Sequence, residues 1–410
     1  MKPQRTAYLD HAATTDVLPA AASAYAHQMS VVGNASALHF AGRAARRVVE
    51  ESRESMAKAL GARPSEIIFT GGGTEANNLA IKGLFWARHG ADPRRTRIVI
   101  SAVEHHAIMD PAGWMHAAEH AEVIYIPVTA SGTVDLEALR AEIEVHGPEI
   151  ALISVMWANN EVGTIEPIRH VVELADSAEI PVHSDAVQVL GQIPVDFAAS
   201  GLSAMTISAH KIGGPVGVGA LVARRGLELT PVLHGGGQER SVRSGTLDTA
   251  GIASFAVAVD HAASSQVAEA ARLTELRDYL VTEVLAACPT ATLRGPGLTT
   301  GKRLPANAHF TFANCEGDSL IYLLDSHGVA ASTGSACRAG VPQPSHVLIA
   351  MGLEESVARG ALRFSLGNTS TRADVDHLVA VLPQVVERAQ AAGLAAAASK
   401  SSRTRGALEE

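Results

Sequence analysis

Cysteine is scarce in this chain of 410 residues, and Cys288, Cys315 and Cys337 stand far apart. They form neither a CxxC metal pair nor a disulfide framework, and a reducing cytoplasm suits them best. No apolar run approaches the ~18 residues that a membrane-spanning helix requires, so no membrane partner is expected. The opening Met-Lys-Pro-Gln-Arg-Thr-Ala-Tyr-Leu-Asp has no apolar signal core and no Arg/Ser-rich transit bias. Positive charge is in deficit: 33 Lys and Arg stand against 42 Asp and Glu, for a net charge of −9. That balance disfavours direct nucleic-acid binding. Glu104-His105-His106 is followed by no third spaced ligand, so it is a poor metal motif, and no metal is expected. What is present is 47% hydrophobic and 18% charged residues, a globular composition with enough length for two or three domains' worth of core.

Seven short apolar runs punctuate the first half, at 67–70, 97–101, 123–126, 151–155, 180–185, 205–208 and 219–223. Most are separated by helix-length segments, which predicts an α/β fold around a mostly parallel seven-stranded sheet. Ligands of such sheets collect beyond the carboxyl ends of the strands. The pattern changes near 255–265. A long Ala-rich helix over 250–288 is followed by strands at 308–313 and 361–366, then a helix after Thr371. The expected organisation is a large α/β domain over 15–260 and a smaller α+β domain from 1–14 with 261–388. Residues 389–410 read as a mobile tail.

Polar residues cluster at those strand ends. The run 67–70 leads into Gly71-Gly72-Gly73-Thr74 and then a helix. Free backbone N–H groups, the positive end of the helix and the Thr74 hydroxyl make such a turn a phosphate cradle, although an unliganded turn reads alike. Ser208-Ala209-His210-Lys211 ends another strand before Gly213-Gly214-Pro215. A desolvated lysine there has a lowered pKa and forms Schiff bases with carbonyls; a solvated loop lysine fits the same residues taken alone. Asp185 at a strand end would keep a pyridine nitrogen protonated, or cap a helix. Gln188, one turn on, reaches towards a ring hydroxyl, and His105 suits ring stacking or proton transfer. Together these residues make the inventory of a pyridoxal phosphate site. Arg363 interrupts an apolar strand, where it suits a substrate carboxylate or an internal salt bridge. Cys337 lies in a polar, Gly/Pro-rich stretch beside Arg338 and is the candidate nucleophile; Cys288 and Cys315 read as structural.

The ordered motifs resemble the NifS/IscS-type cysteine desulfurases. They include Tyr8-Leu9-Asp10-His11-Ala12-Ala13-Thr14-Thr15, Gly72-Gly73-Thr74-Glu75-Ala76-Asn77-Asn78, Glu104-His105-His106-Ala107, Asn159-Asn160-Glu161-Val162-Gly163-Thr164 and His183-Ser184-Asp185-Ala186-Val187-Gln188. Ser208-Ala209-His210-Lys211, Arg243-Ser244-Gly245-Thr246 and Ser332-Thr333-Gly334-Ser335-Ala336-Cys337 continue the set. The resemblance spans roughly residues 7 to 380. It implies the class V aminotransferase version of the pyridoxal phosphate fold type I, working as a homodimer. It implies Lys211 as the Schiff-base lysine, Asp185 at the pyridine nitrogen and His105 on the ring. Gln188 and Asn160 would contact the ring hydroxyl or the substrate. Gly73 and Thr74, with Ser208 and His210, would hold the phosphate, joined by Thr246 from the other subunit. Arg363 would bind the substrate carboxylate. Cys337 would carry a persulfide after converting L-cysteine to L-alanine. The sulfur would pass to an acceptor protein, such as an iron–sulfur scaffold or a tRNA-thiolation protein. A selenocysteine lyase, another class V enzyme and a non-catalytic sulfur-assembly scaffold are the competing readings. Transamination needs no nucleophilic thiol, so the Cys337 stretch favours the desulfurase.

Overall fold

The computed structural model describes residues 6–334 and 344–406, with side chains as far as residue 392. Cys337 lies outside the described residues. The chain opens with strand β1 (Ala7–Tyr8) and helices α1 (Pro19–Met29) and α2 (Phe40–Ala59). Strands and helices then alternate: β2 (Ile67–Thr70), α3 (Gly73–Ala91), β3 (Arg97–Ser101), α4 (His106–Glu119), β4 (Glu122–Ile126), α5 (Leu136–His146) and β5 (Ile150–Ser154). The series continues with α6 (Ile168–Asp176), β6 (Val182–Asp185), α7 (Phe197–Ser200), β7 (Ala204–Ser208) and β8 (Gly219–Ala223).

Strands β2 to β8 form one seven-stranded sheet in the order β2-β8-β7-β6-β5-β3-β4. Only β8 runs antiparallel to its neighbours β2 and β7. The mostly parallel α/β sheet expected from the sequence is therefore present. Its central strands β5 to β8 are buried throughout, because helices cover both faces. That explains the continuous apolar runs of β5 and β8, while β6 and β7 also bury His183, Ser184, Asp185, Thr206 and Ser208. The edge strand β4 is only partly covered: it exposes Glu122 and Tyr125 and buries Ile126 alone. The covering helices show the matching period. In α6, Ile168, Val171, Val172 and Ala175 are buried.

The second half adds α8 (Thr249–Ala287), β9 (Ala291–Arg294), β10 (Asn307–Phe312), α9 (Gly317–Ser326), β11 (Val329–Ala330), α10 (His346–Ala350), α11 (Glu355–Ala358), β12 (Ala361–Ser365) and α12 (Arg372–Gly406). Strands β12, β10 and β9 make an antiparallel sheet, with Arg363 paired to His309. Helix α8 serves two apolar cores. Ile252, Phe255 and Val259 pack beneath the large sheet. Leu273, Leu280 and Val284 join Phe310, Phe364 and Leu378 around the small one. The backbone of α12 stays helical to Gly406, through an Ala-rich stretch. Among the described residues no helix is long and apolar enough to cross a membrane.

The amino-terminal strap ties the two sheets together. Its β1 pairs in parallel with β11. The Ser365 amide donates to the Leu9 carbonyl at 2.8 Å, and the Ala12 amide donates to Ser365 Oγ at 2.9 Å. From there the strap crosses to the carboxyl ends of the large sheet.

Candidate active site

A cavity of about 370 Å³ opens between those strand ends and the small sheet. Its lining includes Gly73, Thr74, His105, Asn160, Asp185, Gln188, Ser208, His210, Lys211 and Arg363. Ten residues singled out from the sequence thus share one space. Thr246 does not line it and is exposed. Each strand delivers its group at the carboxyl end, where helices α3 and α4 and a turn of 3-10 helix over 209–211 begin.

The cradle is built from glycine for two reasons. Gly72 has φ of +142°, a conformation that side-chain-bearing residues rarely adopt. At Gly73 a Cβ would lie 3.1 Å from Val187 Cγ2, tight enough to push on the cavity wall. Helix α3 starts here and aims its free N–H groups at the space, as an anion requires. At the opposite polarity stands Asp185, buried at the end of β6. Asn77 Nδ2 donates to its Oδ2 at 2.7 Å and the Val187 amide to its Oδ1 at 3.0 Å, which fixes the carboxylate plane. Asn77 reaches it from the apolar face of α3, a role that sequence reasoning missed. The polar residue buried four positions after Gly73 was the available signal.

Lys211 Nζ donates to the carbonyl oxygens of Ala12 (2.6 Å) and Ala13 (2.7 Å). Burial, reinforced by Arg363 and opposed by Asp185 and Asp10, pushes its amine down to about 8. Gln188 Nε2 donates to the same Ala12 carbonyl at 3.0 Å. A second cavity of about 240 Å³ lies beside the first and shares Ala12, Val187, Gln188 and Lys211 with it. His105 caps α4, its Nδ1 accepting from the Ala107 amide at 3.0 Å, which leaves the proton of a neutral ring on Nε2. Burial lowers the His105 pKa, Asp185 opposes this and Lys211 adds to it. Burial and Lys211 also push His210 down to about 4, so both rings are neutral at pH 7.

Arg363 sits on β12 and faces the sheet ends. Its Nη1 donates to the Asn160 carbonyl at 2.9 Å and its Nη2 to Asp10 Oδ1 at 2.7 Å. Its buried Nε has no hydrogen-bond partner among the described residues. The salt-bridge reading of Arg363 is therefore realised, with a spare donor remaining. Nothing in the local sequence pointed to Asp10 as the partner. Cys288 and Cys315 are buried, and burial raises both thiols, Cys315 to about 11, which suits structural residues.

The lining fits a phosphorylated heteroaromatic aldehyde: an anion cradle, a fixed carboxylate, a desolvated amine and a guanidinium face one space. The chain matches the aminotransferase class-V family over residues 7–378. It is 55% identical, over 95% of this chain and 99% of the relative, to an IscS-like cysteine desulfurase of Mycobacterium tuberculosis. A solved NifS-like protein superposes with a TM-score of 0.85 at 33% identity, covering 93% of this chain and 100% of that one. A solved structure of SspA in complex with cysteine gives a TM-score of 0.75 at 33% identity, covering 88% and 99%.

Proposed function

The chain belongs to the aminotransferase class-V family, and we propose that it is a pyridoxal phosphate-dependent cysteine desulfurase that converts L-cysteine to L-alanine. The observation that carries this reading is the meeting of Lys211, Asp185, His105 and Arg363 in one cavity. Gly73, Thr74, Ser208 and His210 would hold the phosphate, Asp185 the pyridine nitrogen and Lys211 the aldehyde carbon. When bound, the cofactor supplies the electron sink for a carbanion.

The residues divide the remaining work. Arg363 Nε and its neighbouring nitrogens bind the cysteine carboxylate. Lys211 Nζ, with its lowered pKa, takes the α-proton. His105, neutral at pH 7, would stack on the cofactor ring. Cys337 Sγ attacks the sulfur of the substrate. The carbon–sulfur bond breaks, a sulfur–sulfur bond forms, and the carbon gains a proton. One cysteine and one thiol give one alanine and one persulfide, so no outside oxidant or reductant is needed. A sulfur-acceptor protein then collects the persulfide sulfur, in a reducing cytoplasm. We infer a homodimer. The exposure of Thr246, clear of its own cavity, supports a phosphate contact made across the interface of two copies. Val32, Leu38 and Phe40 are also large apolar side chains left exposed on one protomer.

The test is purified protein with L-cysteine and a thiol reductant. Alanine and sulfide should appear in equal amounts and be lost in Cys337→Ser. Alanine made by Cys337→Ser at the unaltered rate would refute the persulfide role.

A further inference from the structure

The segment over 335–343 carries Cys337, and its two flanks meet at one side chain. Glu161 is buried in the turn after β5, one residue beyond Asn160. On the carboxyl-terminal flank, Ser345 Oγ donates to Glu161 Oε2. The same Ser345 oxygen accepts the Leu348 amide at 3.2 Å and so caps α10. On the amino-terminal flank, Gly334 lies against the Glu161 side chain so closely that a Cβ there would sit 3.1 Å from Glu161 Cγ. Gly334 has φ of +84°, and its amide is held by Ser332 Oγ at 3.0 Å. Ser332 in turn bridges to Arg363, whose amide donates to the Ser332 carbonyl at 2.6 Å.

Glu161 is itself fixed from below. Asn159 Oδ1 accepts its amide at 2.9 Å, and Asn307 Nδ2 donates to its carbonyl at 2.9 Å. Its side chain does not line the cavity, whereas Asn160 and Gly334 on either side of it do.

We propose that Glu161 is a positioning residue that pins both ends of the Cys337-bearing segment to the turn holding Asn160, and so sets where the thiol meets the substrate sulfur. This rests on the desulfurase reading. The geometry gives the reason. Glu161 touches both Gly334 and Ser345, which flank that segment, so its loss frees both flanks at once. A misplacement of about 1 Å in a reacting group costs about 10²-fold in rate. Burial, opposed by the Ser345 hydrogen bond, Arg363 and His106, raises the Glu161 carboxyl to about 7, so a neutral amide is a close mimic of it.

The test compares Glu161→Ala, Glu161→Gln and Ser345→Ala with the unaltered holoenzyme. Cysteine affinity is read from the change in cofactor absorbance, and turnover from alanine. Glu161→Ala should lower kcat by about 10²-fold and leave cysteine affinity within about twofold. Glu161→Gln, which keeps an oxygen for Ser345, should recover most of the loss, and Ser345→Ala should fall between. Independently of turnover, amide hydrogen exchange at Leu348 and Ile349 should quicken in Glu161→Ala. A Glu161→Ala enzyme with unchanged kcat, or one whose kcat falls only in step with cysteine affinity, overturns the proposal. Failure of the unaltered enzyme to make alanine would instead strike the desulfurase reading.

Discussion

The two walls of the cavity are held by different kinds of bond. On the large-sheet wall, Gly73, His105, Asp185 and Lys211 each hang from the end of a buried strand or the helix or turn that follows. His105 is oriented by the Ala107 amide and Asp185 by the Val187 amide, both two residues on. On the small-sheet wall, Arg363 is held by Asp10, 353 residues away, and by the Asn160 carbonyl, 203 away. The first wall takes its backbone and its nearest hydrogen bonds from the sheet, and longer bonds add to them, from Asn77 to Asp185 and from Lys211 to the strap at Ala12 and Ala13. The second exists only when both ends of the chain have docked. The groups proposed for the cofactor sit on the first, and the group proposed for the substrate carboxylate on the second.

The largest test of that contrast is Lys211→Ala. It should lower alanine formation by about 10³-fold or more, measured at saturating cysteine, while circular dichroism stays unaltered. A lesser loss would mean that another group takes the proton.

The opposite wall is probed by Arg363→Lys, which keeps the charge and removes the fork. Losing charge-assisted bonds worth about 1.5–3 kcal/mol should raise the cysteine KM about tenfold to hundredfold. Cofactor binding should be spared, and a variant that loses cofactor equally would erase the distinction between the walls. Asn77→Ala reverses the pattern. Without the Asn77 donor to Asp185 Oδ2, cofactor affinity should fall about tenfold with little change in cysteine KM, as read by equilibrium dialysis.

The smallest effect is a pH dependence. The neutral Lys211 amine is the form that reacts with an aldehyde. With its pKa at about 8, the neutral fraction grows as pH rises. The rate of reconstitution from cofactor-free protein should increase roughly fivefold between pH 7 and pH 8, then level off. A profile still climbing steeply beyond pH 9 would place the amine near its ordinary value.

The same contrast explains what could be read in advance. Gly73, Thr74, Asp185 and Lys211 were legible because a strand, a turn and a helix announce themselves within a dozen residues or so. The α/β sheet was legible for the same reason. Its β4 edge was not, because Val123, Ile124 and Ile126 look apolar whether or not a neighbour covers them. Asp10 and the carbonyls of Ala12 and Ala13 escaped notice because their partners lie across the fold, and a carbonyl has no sequence signature at all. Arg363 shows the limit. Substrate binding and an internal salt bridge were posed as alternatives, yet the side chain has enough donors to pair with Asp10 and keep Nε without a partner among the described residues.

The strap also imposes an order on synthesis. Asp10 leaves the ribosome early and must wait for Arg363, 353 residues later. At roughly 5–20 residues per second that wait is about 20 to 70 s. During it the large sheet is complete as far as β8, with cradle, carboxylate and lysine all translated. A nascent chain therefore acquires its cofactor-facing wall well before its substrate anchor. An emerging chain that met pyridoxal phosphate early would still be unable to grip an amino acid by its carboxylate until Arg363 had been made and had met Asp10.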